Sequence, residues 1–184
     1  MTDVTICNEA LTAIGEKVIV TLSDNSKAAR LCTLKYANKR DYLLRKYIWN
    51  FATKRATLTP ATGTPEYEYS THFDLPDDCI LLRELYPNTI KYSIEDNKIL
   101  CDESTLCIKY TYRVTDTDKM DASFIETLSA LLARELSIPL ADNTNLSSQM
   151  DELYEVKLSE ARFLGSIEKD VESIEANDWI NSRY

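Results

Sequence analysis

The sequence predicts an α+β fold: a helical bundle formed by N- and C-terminal segments, with an antiparallel β insertion and an extended C-terminal tail. Two observations predict this class. Apolar residues recur at helical spacing in residues 1–56 and 120–176, which we assign to one helical domain. Residues 57–119 are instead rich in β-branched and aromatic residues and form the β insertion. Residues 177–184 follow the last helical pattern and form the tail.

The first predicted helix spans residues 3–14, where apolar residues at spacings of three and four share one face. Gly15 favours a stop there, because glycine adopts the left-handed conformation at little cost. The second helix runs roughly from Ser26 to Trp49 and contains no Gly or Pro. A polar residue within 23–25 is expected to cap it.

Four strands are predicted in the β insertion, each bounded by turn-forming residues. They are Cys79–Tyr86, Thr89–Ile94, Lys98–Cys101 and Thr105–Val114. The turn Glu95-Asp96-Asn97 joins the middle two as a tight hairpin. Alternation of apolar and polar residues over 108–114 predicts a sheet with one solvated face.

Two further helices are predicted after Asp121. The first begins near Phe124 and ends near Pro139, and the second runs roughly from Asn145 to Ala176. The inner face of the second is assigned Met150, Leu153, Tyr154, Ala161 and Leu164. Its opposite face is assigned Asp151, Glu152 and Glu155.

The net charge of −9 argues against a general nucleic-acid coat, because affinity for phosphate comes mainly from clustered basic charge. The charge is distributed unevenly. Residues 26–56 hold nine Lys or Arg and one acid, a net of +8, whereas residues 121–184 hold thirteen acids and five bases, a net of −8.

Most enzyme templates are absent from the sequence. The three glycines lie too far apart for a phosphate-binding loop or a nucleophile elbow, and one histidine cannot build a multi-histidine zinc site. Five cysteines without a CxxC motif predict reduced, mostly buried thiols. Neither a membrane span nor a signal peptide is predicted. We therefore expect a protein that is not an enzyme, with no catalytic residue, no cofactor and no metal.

Two catalytic interpretations of the sequence compete with ordinary structural roles. His72 and Cys79 could form a nucleophilic pair, but nothing indicates an orienting group, so a surface or hinge histidine is favoured. Asp77, Asp78 or Glu84 could supply paired carboxylates for glycan hydrolysis. With 30 acids in 184 residues, solvated turn residues are the favoured interpretation.

The basic second helix allows three interpretations. Residues 27–55 could contact DNA phosphates, could match the acidic C-terminal segment within or between subunits, or could be solvated. The bases spread around the helix, which favours charge matching over DNA binding. The predicted subunit-interface residues are Lys35, Lys39 and Lys46, opposite Asp151, Glu152 and Glu155.

Two aromatic elements receive different interpretations. Trp49-Asn50-Phe51 is predicted to be a core anchor that locks the second helix to the β insertion. Aromatic side chains in the tail are expected to dock on a partner in preference to folding back onto the chain, because Trp and Tyr are enriched at interfaces.

Short motifs in a fixed order run along nearly the whole chain. They are Asn8-Glu9-Ala10-Leu11, Leu22-Ser23-Asp24, Arg40-Asp41, Trp49-Asn50-Phe51-Ala52, Leu75-Pro76-Asp77-Asp78-Cys79 and Arg113-Val114-Thr115-Asp116. Their order and spacing resemble the tail tubular protein A family, the head-to-tail adaptors of T7-like short-tailed phages.

This resemblance implies a structural role without chemistry. Such proteins form a ring, typically of twelve copies, between the portal and the tail nozzle, through which DNA passes without sequence-specific binding. The portal-docking residues would be Trp179, Ile180, Arg183 and Tyr184. The contacts to the nozzle or to fibres and spikes would be Asn88, Asp96 and Asn97. The expected location is the virion, after assembly in the host bacterial cytoplasm; the nozzle partner would resemble tail tubular protein B, and no membrane partner is expected.

Overall fold

The computed structural model describes residues 1–168 of the 184-residue chain. Within them the fold is mixed α+β, as predicted, with four α-helices and two three-stranded antiparallel sheets. The helices are α1 (Asp3–Ala13), α2 (Lys27–Lys46), α3 (Ala122–Ala141) and α4 (Thr144–Ile167). The strands are β1 (Thr53–Leu58), β2 (Thr71–Asp74), β3 (Cys79–Tyr86), β4 (Ser93–Glu95), β5 (Lys98–Cys101) and β6 (Leu106–Tyr112).

Each helix begins at a polar residue whose side chain accepts a backbone N–H of the first turn. In α2 this residue is Ser26, whose Oγ accepts from the Ala29 N–H at 3.1 Å. The expected cap within residues 23–25 is therefore wrong. Asp24 instead accepts the Val20 N–H at 2.7 Å and so stabilises the preceding turn.

Two helices end at positions different from those predicted. α2 ends at Lys46, before Trp49, because Tyr47 adopts an extended conformation with φ −134° and ψ 162°. α3 continues past Pro139 for two residues and stops where Asp142 takes a left-handed conformation with φ 48°. A proline in the last turn removes one helical N–H, which a helix end tolerates better than a helix interior.

α3 lies at the centre of the helical part, with α1, α2 and α4 packed against it. Trp49 is buried in their shared core, and its Nε1 donates to the Leu43 carbonyl oxygen at 2.9 Å. Trp49 is buried in the core, as predicted, but the predicted lock to the β insertion needs correction. The ring of Trp49 packs on Phe51, two residues along the chain, and on Phe124 of α3. The anchor therefore joins the end of α2 to α3.

The sheets have the strand orders β1-β6-β3 and β2-β5-β4. The predicted hairpin is confirmed: Asp96 and Asn97 connect β4 and β5 with φ values of 46° and 60°, as a tight turn requires. The predicted start of the strand Thr89–Ile94 is wrong, because residues 88–89 form a turn and β4 begins only at Ser93.

The chain enters and leaves the sheets at neighbouring positions. β1, which the sequence pattern did not indicate, pairs with β6 so that Thr53 faces Thr111. Directly before this pair, the Tyr112 N–H donates to the Ala52 carbonyl oxygen at 2.9 Å. The predicted boundary at residue 57 falls inside β1.

The two sheets share a second hydrophobic core. Its buried residues are Phe73, Leu75, Leu85, Ile99, Cys101, Leu106, Ile108 and Tyr110. His72, expected at the surface or at a hinge, is buried in β2 at 9% exposure. The preceding loop covers it: the Ala61 N–H donates to the His72 carbonyl oxygen at 2.9 Å, and Gly63 lies beside the imidazole ring.

The five cysteines are free thiols, as expected. Cys7, Cys32 and Cys101 are buried, Cys79 is half-buried, and Cys107 is exposed on β6. Among the helices of residues 1–168, none combines the length and apolarity that a membrane span needs.

Candidate interaction surface

The carboxylates considered for glycan hydrolysis have structural partners. Asp78 Oδ2 lies 2.6 Å from Lys54 Nζ, and its Oδ1 accepts from the Tyr110 hydroxyl at 3.2 Å. Burial, followed by the charge of Asp78, raises the pKa of Tyr110 to about 12. Glu84 pairs with Lys109 across the strands at 3.1 Å. These contacts hold β1, β3 and β6 together.

Residues 1–168 contain no group of three or more His, Cys, Asp or Glu side chains placed to hold a metal ion. The candidate interaction surface lies instead along α2 and α4, where basic residues, tyrosines and exposed apolar side chains occur together.

Two of the predicted interface lysines contact a carboxylate of their own chain. Lys39 Nζ lies 2.7 Å from Glu135 Oε1, and Lys35 Nζ lies 3.2 Å from Glu135 Oε2. Burial disfavours the charged form of Glu135, but the hydrogen bonds from Lys39 and Lys35 outweigh it and lower the pKa of this carboxyl. The pairing joins α2 to α3. It is one case of the predicted contact between the basic second helix and the acidic C-terminal segment of the same chain.

The third predicted lysine, Lys46, lies among tyrosines. Its Nζ is 3.3 Å from the Tyr154 hydroxyl and 5.7 Å and 5.4 Å from the ring centroids of Tyr42 and Tyr47. Arg162 lies over the Tyr47 ring at 5.2 Å. Each cation over an exposed ring contributes about 0.5–1 kcal/mol, so these contacts fix the end of α2 against α4.

Asp151, one of the predicted acidic interface residues, also has a partner in its own chain. Its Oδ1 lies 3.1 Å from Arg134 Nη1, and the Arg134 guanidinium lies 4.9 Å from the Tyr154 ring centroid. α3 and α4 are thus joined by charge at their solvent-facing edge.

A groove of about 380 Å³ runs between the segment after α2 and the last turns of α4. Tyr47, Trp49 and Arg162 contribute to its lining. The Asn50 amide also lines the groove, and its Nδ2 donates to the Gly165 carbonyl oxygen at 3.1 Å and to Glu168 Oε2 at 3.0 Å. The end of α4 is therefore tied to the segment that carries Trp49.

The outer face of α4 carries an apolar stripe that faces solvent. Val156, Phe163 and Ile167 are 52%, 66% and 64% exposed, and their spacings of seven and four place them on one face. We call these three residues the α4 outer stripe. The buried face of the same helix is formed by Met150, Tyr154, Leu158 and Ala161. A helix with apolar residues on two faces is usually covered on both.

The sequence pattern assigns Leu164 to the inner face of α4. This assignment is wrong, because the Leu164 side chain is 51% exposed. Leu158 is the buried residue at that face. The sequence interpretation missed the α4 outer stripe. Its signal was readable, since residues 156, 163 and 167 follow helical spacing on the face opposite Tyr154.

Glu152 and Glu155 flank the α4 outer stripe, and both are exposed. Within residues 1–168 neither forms an ion pair, whereas Asp151, Glu126 and Glu160 of the same region do. Of the predicted acidic interface residues, these two therefore keep their charge available to another molecule.

The other predicted contact residues are placed as follows. Asp96 and Asn97 form the exposed β4–β5 turn, and Asn88 lies in the exposed turn after β3. They belong to two separate turns of the β part. The predicted portal-docking residues Trp179, Ile180, Arg183 and Tyr184, and the end of the predicted helix beyond Glu168, lie outside the described residues.

No protein-family model matches this chain, and a search of curated proteins found no match either.

Proposed function

We propose that this chain is a structural head-to-tail adaptor of a short-tailed phage, similar to the tail tubular protein A family. Copies of the chain associate into a ring, of twelve by family likeness, between the portal and the tail nozzle. The ring extends the DNA channel and helps attach spikes or fibres, and its place is the virion. The chain acts by binding and catalyses no reaction.

One observation carries the proposal: the α4 outer stripe is apolar, exposed and flanked by Glu152 and Glu155, which have no ion pair within residues 1–168. Exposed apolar side chains with a polar rim are typical of sites where proteins associate. Homo-oligomers bury such surface against another copy, and unlike faces that meet head to tail generate a ring when the rotation between copies closes.

The parts of the chain receive separate roles in this proposal. The four helices act as the ring-forming helical bundle, and the exposed turns at Asn88 and at Asp96-Asn97 contact the nozzle or a fibre. Residues 177–184 form an extended tail that docks on the portal. This assignment is supported by the position of both turns at the surface of the sheets.

The experiment is to mix the purified chain with the portal protein of the same phage and to examine the mixture by light scattering and electron microscopy. We expect rings seated on the portal. A chain that stays monomeric and ignores the portal contradicts the proposal.

The tail has its own test. Deleting residues 177–184 should leave the melting temperature unchanged and weaken binding to the portal. A truncated chain that unfolds would instead assign these residues to the core.

The two other functions have weaker support. A tail glycan hydrolase needs a free carboxylate pair, yet Asp78 and Glu84 are each held by a lysine. Hydrolysis of cell-wall glycan that is lost in Asp77→Asn, Asp78→Asn or Glu84→Gln would favour it. A DNA-binding module needs free bases in residues 27–55, and many of these bases contact acids, carbonyl oxygens or tyrosines.

A further inference from the structure

We infer that the α4 outer stripe of one copy is covered by the exposed face of α2 from a neighbouring copy. This inference rests on the proposed function, in that copies of this chain associate. It adds the two surfaces that meet and the residues that pair across them.

The exposed face of α2 centres on one aliphatic residue. Leu34 is 63% exposed, although most other large apolar side chains of α2 are buried or half-buried. Arg30 lies one turn before Leu34 and Asn38 one turn after it, so the three share a face, with exposed Ala37 at its edge. We call Arg30, Leu34, Ala37 and Asn38 the α2 outer face.

The two surfaces have complementary charge. Arg30 forms no ion pair within residues 1–168, whereas Lys35 and Lys39 pair with Glu135 on the other side of α2. The α4 outer stripe offers Glu152 and Glu155, which likewise form no ion pair within that part of the chain. Apolar residues at the centre with opposite charges at the rim are the usual composition of a specific interface.

The two surfaces cannot meet within one chain. α2 turns its opposite side, with Ala29, Cys32 and Tyr36, into the helical core, and α4 does the same with Tyr154 and Leu158. Both outer surfaces therefore point away from the core that the two helices share. Contact between them requires a second molecule.

Because each copy carries one of each surface, the contact is heterologous: α4 of one copy meets α2 of the next. Repetition of a heterologous contact gives a closed ring or an open filament, not a two-fold dimer. The geometry thus agrees with the ring of the proposed function without fixing its copy number.

The test uses the full chain with single substitutions on exposed positions, so that folding is preserved. Leu34→Asp disrupts only the α2 outer face, and Phe163→Asp disrupts only the α4 outer stripe. Tyr67→Asp, at a loop residue that is 79% exposed, is the matched control. Circular dichroism checks the fold, and sedimentation velocity over a range of concentrations measures association.

We expect the wild type and Tyr67→Asp to associate into species larger than dimers. Each of Leu34→Asp and Phe163→Asp should raise the dissociation constant at least roughly tenfold, as loss of a central apolar contact does. The decisive sample is an equimolar mixture of these two variants. Each retains one intact surface, so the mixture should form heterodimers and stop there.

A charge exchange tests the rim. Arg30→Glu should weaken association, and adding Glu152→Arg and Glu155→Arg to the same chain should restore it, because every copy then carries the reversed pair. Failure of this rescue would contradict the proposed pairing across the rim.

The outcomes separate the two proposals. A wild type that remains monomeric at every concentration overturns the contact between α2 and α4. Only a wild type that also forms no ring on the portal overturns the proposed function as well. A wild type that associates equally well with Leu34→Asp and Phe163→Asp overturns only the contact between α2 and α4. If hydrogen exchange shows α4 protected in the monomer until residues 169–184 are deleted, the chain's own C-terminal segment covers the stripe and this inference is wrong.

Discussion

The indole ring of Trp49 meets the ring of Phe124 edge to face, with centroids 4.8 Å apart and an angle of 86° between the planes. Phe51 contacts the same Phe124 ring at 5.1 Å. Three aromatic rings, two from the segment after α2 and one from the first turn of α3, thus form one cluster. Edge-to-face pairs contribute about 0.5–1.5 kcal/mol beyond the apolar area that they bury.

This cluster leads to a first prediction about stability. Phe124→Ala should lower the free energy of unfolding by about 3–5 kcal/mol, because it leaves a cavity where two rings have packed. Phe163→Ala is the matched control, since Phe163 also lies in a helix but is 66% exposed; it should change stability by less than about 0.5 kcal/mol. Urea unfolding at low protein concentration measures both. Equal losses in the two variants would contradict the assigned core.

A second prediction concerns acid stability. The pKa of Glu135 is lowered in the folded state, so its contribution is present above the unfolded pKa and is lost as the pH falls through the folded pKa. Glu135→Gln should cost about 0.5–1 kcal/mol at pH 7, a value reduced by solvent screening of the partly exposed site. The difference from wild type should shrink below about pH 4.5.

Unfolding by urea at several pH values measures this difference. Glu103→Gln, at an exposed position in the turn between β5 and β6, should show no such dependence. The difference in the free energy of unfolding between wild type and Glu135→Gln could instead stay constant down to acidic pH. That result would show that the pairing of Glu135 with Lys35 and Lys39 adds no stability.

A third prediction concerns the start of α2. Ser26→Ala removes the side chain that accepts the Ala29 N–H and should destabilise the fold by about 1 kcal/mol. Ser23→Ala makes the same chemical change three residues earlier, where the serine contributes its backbone N–H to Thr21 Oγ1, and should be nearly neutral. Thermal unfolding followed by circular dichroism compares the two. The reverse order of effects would assign the cap to the residues originally expected.

A fourth prediction addresses DNA. Many bases of residues 27–55 contact groups of the same chain, such as Lys54 with Asp78 and Arg40 with Asp41. We therefore expect weak, non-specific retention of duplex DNA that disappears as salt is raised. Fluorescence anisotropy with a labelled duplex at low and physiological salt measures this. Tight binding that survives physiological salt and falls in Arg30→Glu would favour the DNA-binding alternative.

The α+β class and the helices could be predicted from the sequence because their signals are local. Spacings of three and four define α1 and α2, and the Asp96-Asn97 turn defines its hairpin through two adjacent residues. β1 and β2 could not be predicted in this way. β1 pairs with β6, which lies about 50 residues further along the chain. β2 is covered by the loop at Gly63, a contact that no local pattern indicates.

The partners of the ion pairs could not be predicted from local sequence either. The sequence indicated that the basic helix meets acids, but Lys35 and Glu135 are separated by 100 positions, and only the fold selects Glu135 among many carboxylates. The α4 outer stripe was different, since its spacing was present in the sequence. The inner face of α4, with Met150, Tyr154, Leu158 and Ala161, gives the stronger apolar pattern and so dominates the prediction for this helix.

The hydrogen bond from Tyr112 to Ala52 places the two ends of the β part side by side. A segment that departs and returns through adjacent positions can be lengthened, shortened or exchanged with little strain on the scaffold that carries it. The sheets can therefore change in length while the helices stay the same. For the same reason, an engineer could replace the β4–β5 turn with a foreign epitope and leave the helical scaffold undisturbed.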